Sequence, residues 1–490
     1  MARTLRSLLA ALSLAALLPL ASACTTNPAT GESNFTPFMS PAQESAIGRE
    51  EHPKVIAEFG VYQEMPELNA YVAEIALRLH GASEMANQPF TFTLLDSDMV
   101  NAFAIPGGYV YVTRGLMALA NNEAELAGVI GHEIGHVTAR HSAQRSTQQV
   151  FAGLGAAALG IALQDQAIAD LANMGAMAWV QGYSRQQELE SDQLGIRYLA
   201  RAGYDPVAMS TFLQQLGRET ALAQKLMFQE GEADPADNWF STHPRTEDRV
   251  AAAAQTARAS VSNPRIARDE YLRHLDGMIY GDSPAQGYVR GRTFSHPVLK
   301  LTFQVPEGFR MINGTDQLIA LNEQGAAIRF DADQAAQGQS MTNYLVNTWL
   351  QGQQPDGLER IDVNGMEGAT GSLRRQGQNG VVDLRLVAVR WDSQTVYRFI
   401  FVTPGNLTAS LSEPFRRTTY SLRRLSNSEA AALRPLRVRI IEVRAGDTIA
   451  SLSQRMAFDE LQRERFMVLN GLESDRDLQP GMLVKIVVEG

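Results

Sequence analysis

At 490 residues the chain is too long for one ordinary core, and length alone suggests about three domains. Apolar residues make up 45% and charged residues 20%, the balance of a globular protein. A formal charge of -10 with no cluster of Lys and Arg excludes nucleic acid as a general partner, because phosphate binding relies on such clusters.

Arg3 and Arg6 precede an apolar run from Leu8 to Leu20, and Ala21-Ser22-Ala23 closes it with small residues, so residues 1–23 read as a secretory signal peptide. The mature protein is expected to be exported. Its one cysteine, Cys24, follows directly, which excludes an intramolecular disulfide framework. A cysteine there resembles a bacterial lipoprotein box, with Ala21 where Leu is usual and Leu20 one place further back. We read it as the site of lipidation rather than as a free thiol left by ordinary cleavage. Thr25 rather than Asp after it resembles the pattern sorted to the outer membrane, so the expected place is the periplasm, anchored there as a lipoprotein.

Residues 24–45 are rich in Pro, Thr, Ser and Asn without an apolar period, and read as a flexible tether. The next unit, 46–282, opens with helical spacing of Leu68, Tyr71, Val72, Ile75 and Leu79 over Pro66–Leu79. Phe90–Leu95 and Tyr109–Thr113 read as strands, linked through Asn101-Ala102-Phe103-Ala104 and the turn Pro106-Gly107-Gly108. The Asn101–Ala104 segment suits either an edge strand that accepts substrate backbone or an ordinary core strand with Phe103 buried. Asn122 with Glu125 predicts a capping box for the helix that follows.

That helix carries Gly131-His132-Glu133-Ile134-Gly135-His136. His132 and His136 lie one turn apart, roughly 6 Å along the axis, close enough for both imidazoles to reach one metal ion. A glutamate directly after the first histidine completes the signature of zinc hydrolases, in which that carboxylate takes a proton from the attacking water. Catalytic zinc commonly has three protein ligands, so a third is required. Val150–Leu163 is apolar but too short to span a bilayer, for which about 18 or more residues are wanted, and reads as a buried or semi-mobile helix beside the active site. A helix from Tyr183 to Gly203 then places Glu188 and Asp192 on one face, Glu188 able to reach the metal and Asp192 able to accept the outer N–H of a ligand histidine. Glu190 points away from that face. Further helices are predicted over Met209–Leu222, Thr246–Ala257 and Asp269–Ile279.

Asn101-Ala102-Phe103-Ala104, the HExxH helix, Tyr183-Ser184-Arg185 before Glu188 and Asp192, and Thr242-His243-Pro244 with Arg249 occur in an order that resembles one gluzincin family. It is the family of the CAAX prenyl endopeptidases, HtpX, Oma and the exported BepA-like metallopeptidases. The resemblance covers roughly residues 40–280. It implies a mainly α, zincin-type catalytic domain with a small β-sheet. It also implies one zinc ion on His132, His136 and Glu188, with Glu133 as general base. Oxyanion or substrate contacts are sought at His243, Tyr183 and Arg249, and at Asn101 and Phe103. His243 has three readings: a donor to the transition state, a resting-state zinc ligand that keeps the site shut, or a residue that caps a helix start. We take the latch as the hypothesis. His52, His80, His141, His274 and His296 have no partner at useful spacing and read as structural or surface residues; His141 in particular follows His136 by five residues and falls off the ligand face.

From Ser283 the texture changes. Leu299, Leu301, Phe303 and Val305 alternate with polar residues, and similar runs at 381–391 and 395–402 predict an α+β domain over 283–427. Helices are expected at Tyr344–Leu350 and near Phe415, covering one face of an antiparallel sheet. No tetratricopeptide array follows the catalytic part. Residues 436–490, with Gly446-Asp447-Thr448, Asn470-Gly471 and Pro480-Gly481, resemble a LysM module, which implies a βααβ fold and N-acetylglucosamine polymers such as peptidoglycan as ligand.

The expected function is an exported zinc metalloendopeptidase that cleaves unfolded or misassembled envelope polypeptides, with membrane attachment through Cys24. The alternative is a non-enzymatic envelope chaperone or peptidoglycan-binding protein whose metal site is latent. A water-activating Glu133 favours the enzyme, because a purely structural site needs no base.

Overall fold

The computed structural model describes residues 24–37, 39–148, 182–227, 243, 247–256, 261–377 and 380–490. The expected signal peptide, the apolar run at Val150–Leu163, and Thr242 and Pro244 lie outside them. The chain forms two compact units, one through Tyr280 together with Arg437–Val488 and one over Gly281–Leu436 with the last two residues.

The first unit does not open on a tether. Residues 24–45 contain an antiparallel hairpin, β1 (Cys24–Thr26) with β2 (Ser33–Phe35), and the start of α1 (Pro41–Phe59). The lack of an apolar period does not make this segment loose, because scattered single side chains, Asn27, Ala29, Thr36 and Met39, are buried along it. Ser40 and Gln43 form a capping box and Pro41 starts α1 with a preset φ. α2 (Pro66–Gly81) buries the predicted stripe of Leu68, Tyr71, Val72, Ile75 and Leu79.

A three-stranded sheet follows in the order β3 (Thr91–Leu95), β5 (Tyr109–Thr113), β4 (Ala102–Ile105). β3 and β5 are parallel, β4 and β5 antiparallel, and β4 is an edge of the sheet. Its hairpin to β5 turns on Gly107 and Gly108 at φ 87 and 86, which favour glycine. After α3 (Arg114–Leu119), α4 (Glu123–Thr138) runs through the core, nearly every residue buried. Asn122 caps it by accepting from the Glu125 N–H, while the Glu125 carboxylate reaches one residue further back than a capping box requires, to the N–H of Asn121.

α5 (Arg185–Arg201), α6 (Ala208–Leu226), α7 (Glu247–Thr256) and α8 (Arg268–Leu275) complete the helical layer. The last helix is shorter than its apolar period suggested, because the chain extends at Ile279 into β6 (Ile279–Tyr280). β6 joins β7 (Leu436–Glu442) and β8 (Leu483–Glu489) in one sheet, ordered β8-β7-β6. With α9 (Ile449–Ser453) and α10 (Gln462–Asn470), β7 and β8 give the βααβ arrangement. This module is fixed to the rest of the unit by buried polar contacts. Lys485, fully buried, donates to the carbonyls of Ala118, Leu119 and Ala120 at 2.6, 3.4 and 2.8 Å, where α3 leaves its last carbonyls unpaired.

In the second unit a seven-stranded antiparallel sheet runs Arg310–Asn313, Gln317–Leu321, Ala327–Gln334, Thr395–Pro404, Gly380–Arg390, Met366–Gly377, Asp356–Val363. Helical cover lies on both faces rather than one. Leu386 and Ala388 pack with Tyr344 and Leu345, whereas Val387 and Val389 pack with Phe415, because this central strand is apolar on both sides. Among the described residues, no helix is long and apolar enough to cross a membrane.

Candidate active site

Two helices meet at glycines. A Cβ on Gly195 would come within 2.9 Å of His132 N, and one on Gly135 within 2.7 Å of Ser191 Oγ, so α4 and α5 cross closer than side chains allow. The crossing brings Glu188 and Asp192 against the histidines. Ser191 Oγ also donates to the carbonyl of His132.

His132 Nε2 and His136 Nε2 lie 2.9 Å apart. Glu188 Oε2 stands 3.6 Å from His132 Nε2 and Oε1 3.5 Å from His136 Nε2. His243 Nδ1 joins them, 3.2 Å from His132 Nε2 and 2.9 Å from Glu188 Oε1. All four residues are buried, and one ligand atom from each falls within 4.8 Å of the others. These separations scatter about the ~3.3 Å that a tetrahedral ion with bonds of about 2.0 Å requires.

The outer ring nitrogens explain why the inner ones converge. His132 Nδ1 lies 2.9 Å from Asp192 Oδ1, a carboxylate that can only accept, so the proton sits on Nδ1 and Nε2 faces inward bare. Burial lowers the pKa of His132 and, with three neighbouring imidazoles, carries that of His136 well below its usual value. Imidazole nitrogens facing one another in a buried site beside a carboxylate suit a cation between them. Burial alone would raise Asp192, but Arg249 and His132 hold its carboxyl at about 2. Likewise burial opposes the charge on Glu188, and His243 and Arg249 restore it, leaving its pKa lowered.

Arg249, 1% exposed, grips Asp192 through Nε and Nη2 at 2.8 Å each and Glu188 through Nη1 at 2.7 Å. It also donates to the carbonyl of His243 at 3.3 Å. Its guanidinium therefore lies behind the two carboxylates, orienting them. Glu133 is fully buried, with Oε1 3.4 Å from His243 Nε2. Burial pulls the His243 pKa down, but the Glu188 and Glu133 carboxylates more than reverse this. Tyr183 stacks on His136 with centroids 3.9 Å apart, and its hydroxyl faces Ser142 Oγ at 3.3 Å. Phe103 turns into a separate cluster with Tyr111 and Phe59. Asn101 is buried, and its Oδ1 has no hydrogen-bond partner among the described residues.

His141 corrects the expectation that it lacks a partner. It is fully buried, its Nδ1 is 2.8 Å from His136 Nδ1, and its Nε2 is 3.3 Å from Glu190 Oε2. α4 ends at Thr138 and Arg140 turns the chain through φ 58, so His141 comes back behind His136 instead of continuing round the helix. Glu190, read from the sequence as pointing away, meets it there. His141 holds the Glu190 pKa below the usual carboxylate value. A cleft of about 480 Å³ opens beside His136, lined by Ile105, Gly107, Arg140, Thr25, Thr26 and Pro28 among others.

Residues 66–257 match the peptidase family M48, and residues 441–487 match the LysM domain. The chain is 36% identical over 203 residues to the putative beta-barrel assembly-enhancing protease of Vibrio cholerae serotype O1, covering 39% of this chain and 40% of that one. It is 34% identical over 219 residues to the beta-barrel assembly-enhancing protease of Escherichia coli (strain K12), covering 42% of each. Against the mitochondrial metalloendopeptidase OMA1 of Arabidopsis thaliana it is 34% identical over 163 residues, covering 33% of this chain and 30% of that one. The chain thus spans about two fifths of the length of the assembly-enhancing proteases it matches. The buried donors on α4 and α5 fall inside the first matched segment, and the chain carries a peptidase family M48 domain joined to a LysM domain.

Proposed function

We infer that this protein is an exported zinc-dependent metalloendopeptidase that hydrolyses peptide bonds of misfolded or misassembled cell-envelope proteins. The observation that carries the reading is a buried glutamate, Glu133, set beside four converging donors, because a structural metal site has no use for a base. His132, His136 and Glu188 would hold the ion, and zinc is the metal such a two-histidine, one-carboxylate set suits. When bound it supplies Lewis acidity and lowers the pKa of a water toward about 7.

The chain's own residues do the rest. Glu133 takes the proton of the attacking water and hands it to the leaving amine. Asp192 keeps His132 in the tautomer that faces inward, and Arg249 fixes both carboxylates. As an edge of its sheet, β4 would be the strand that an extended polypeptide joins, with the buried Asn101 amide oxygen at its start. His243 acts as a latch. Its Nδ1 stands among the ligand atoms, and a water would have to displace it. The donor role is the second reading, favoured by the closeness of His243 Nε2 to Glu133.

Export through residues 1–23, acylation of Cys24 and outer-membrane anchoring complete the proposal. The names of the assembly-enhancing relatives support an envelope client, and the LysM match supports attachment to peptidoglycan. Metal analysis with a casein assay on wild type, Glu133→Gln and His243→Ala tests the reading. About one zinc per chain, and a loss of 100-fold or more in Glu133→Gln, are expected. Equal cleavage by wild type and Glu133→Gln, or no cleavage by either wild type or His243→Ala, overturns it.

A further inference from the structure

Behind His136 a chain of hydrogen bonds leads out of the metal site and ends in the first hairpin. Asn27 is 2% exposed, and its Oδ1 accepts the N–H groups of Ala29 and Thr30 at 2.9 and 3.3 Å. That fixes its amide nitrogen outward, 3.1 Å from Glu190 Oε1. The other oxygen of Glu190 faces His141, and His141 faces His136. Proton positions follow from the donors and acceptors available. A carboxylate only accepts, so His141 Nε2 carries a proton. With one proton per ring its Nδ1 then accepts from His136 Nδ1–H, and His136 presents Nε2 bare to the metal site.

The hairpin is seated firmly enough to bear on this. Ala29 is part of the main core cluster, and Arg197 donates to its carbonyl at 3.1 Å. Thr25 Oγ1 meets the buried Thr36 Oγ1 at 2.6 Å. The same segment borders the cleft, whose lining includes Thr25, Thr26 and Pro28 together with Ile105 and, of the converging donors, His136.

We propose that residues 25–30 are a component of the catalytic cleft. In this role Asn27 is a positioning residue that sets His136 through Glu190 and His141, and Thr25, Thr26 and Pro28 form one wall of the channel for the polypeptide substrate. The proposal rests on the peptidase reading. Seating of the hairpin thereby bears on the metal site: with Asn27 withdrawn, Glu190 loses the donor that fixes its carboxylate plane, and the acceptor that holds His141 Nε2–H is no longer held in place.

Glu190→Gln is the most informative variant, since it keeps size but replaces two acceptors by one acceptor and one donor. The N–H groups of Asn27 and His141 then cannot both be met. The full chain is compared as wild type, Asn27→Ala, Glu190→Gln and Thr26→Trp. Zinc affinity is read by competition with a coloured chelator, the melting of the metal-free protein is recorded, and kcat and KM are measured on casein. Asn27→Ala and Glu190→Gln are expected to weaken zinc binding about tenfold with metal-free melting little changed. Thr26→Trp is expected to raise KM several-fold and leave zinc affinity alone. Zinc affinity within twofold of wild type in Glu190→Gln overturns the positioning role, and an unchanged KM in Thr26→Trp overturns the wall. Because chelator competition needs no turnover, absence of cleavage in every form counts against the peptidase reading and leaves the positioning role open to the same measurement.

Discussion

His243 Nδ1 lies 2.9 Å from Glu188 Oε1, and its other ring nitrogen lies 3.4 Å from Glu133 Oε1. One imidazole thus bridges the carboxylate that would bind the ion and the carboxylate that would move the proton. His243→Ala removes the bridge and opens the site. Casein turnover should rise about tenfold, which corresponds to roughly 1.4 kcal/mol of closed-state preference. A fall in kcat with KM unchanged would assign the ring to transition-state donation instead, and no change would leave both roles without support.

Asp192 serves two masters, the His132 ring and the Arg249 guanidinium. His132 and Arg249 between them use both carboxylate oxygens, and Asp192→Asn leaves one acceptor and puts a donor in place of the other. Zinc affinity should fall 10- to 100-fold by analogy with other outer partners of metal-binding histidines. Leaving part of a buried guanidinium unmatched should destabilise the fold by about 3 kcal/mol. Chelator competition and chemical denaturation check the two effects separately.

The crossing of α4 and α5 leaves no room at Gly195, where an added Cβ would meet His132 N at 2.9 Å and Met209 Cε at 3.0 Å. Gly195→Ala should push the helices apart by a few tenths of an ångström and cost about 1–3 kcal/mol. Since Glu188 is carried on the moving helix, zinc affinity should drop with stability. A variant that melts lower yet binds zinc as wild type does would detach the crossing from the metal site.

Lys485 supplies a pH test. Burial, opposed by Glu125, pushes its pKa from 10.5 down to about 7. Between those values the unfolded chain keeps a proton that the folded one has released, so folding releases a proton and stability rises with pH; below about 7 both states are protonated and the penalty is constant. Relative to Lys485→Met, wild type should gain up to about 1.4 kcal/mol per pH unit from pH 7 to 9. Parallel melting profiles for the two proteins across that range would contradict it.

What was legible in the sequence was local. His132 with His136, and Glu188 with Asp192, are each four residues apart on a helix, and helix geometry alone puts each pair on one face. The site's outer structure depends on features without a local period. His141 returns to His136 because Arg140 adopts a left-handed conformation just past the helix end, which residue spacing does not reveal. Arg249 was singled out as a substrate contact, yet its charge is directed at Asp192 and Glu188, an arrangement made by α7 packing on α5. Residues 24–45 look like a linker because scattered single residues without a period, among them Asn27, Ala29, Met39 and Glu44, hold them to distant partners. In the second unit the alternation of Leu386 and Ala388 with Val387 and Val389 was visible as an apolar strand, but which face was covered was not.

The three carbonyls that hold Lys485 come from the end of α3, two residues before the cap of the helix that carries His132, His136 and Glu133. Any load taken up by the βααβ module would therefore pass through these carbonyls into the stretch that leads to Glu133. If the module holds a wall polymer, as proposed above, the cleft would keep one bearing to that polymer rather than sweep a sphere around each anchoring point.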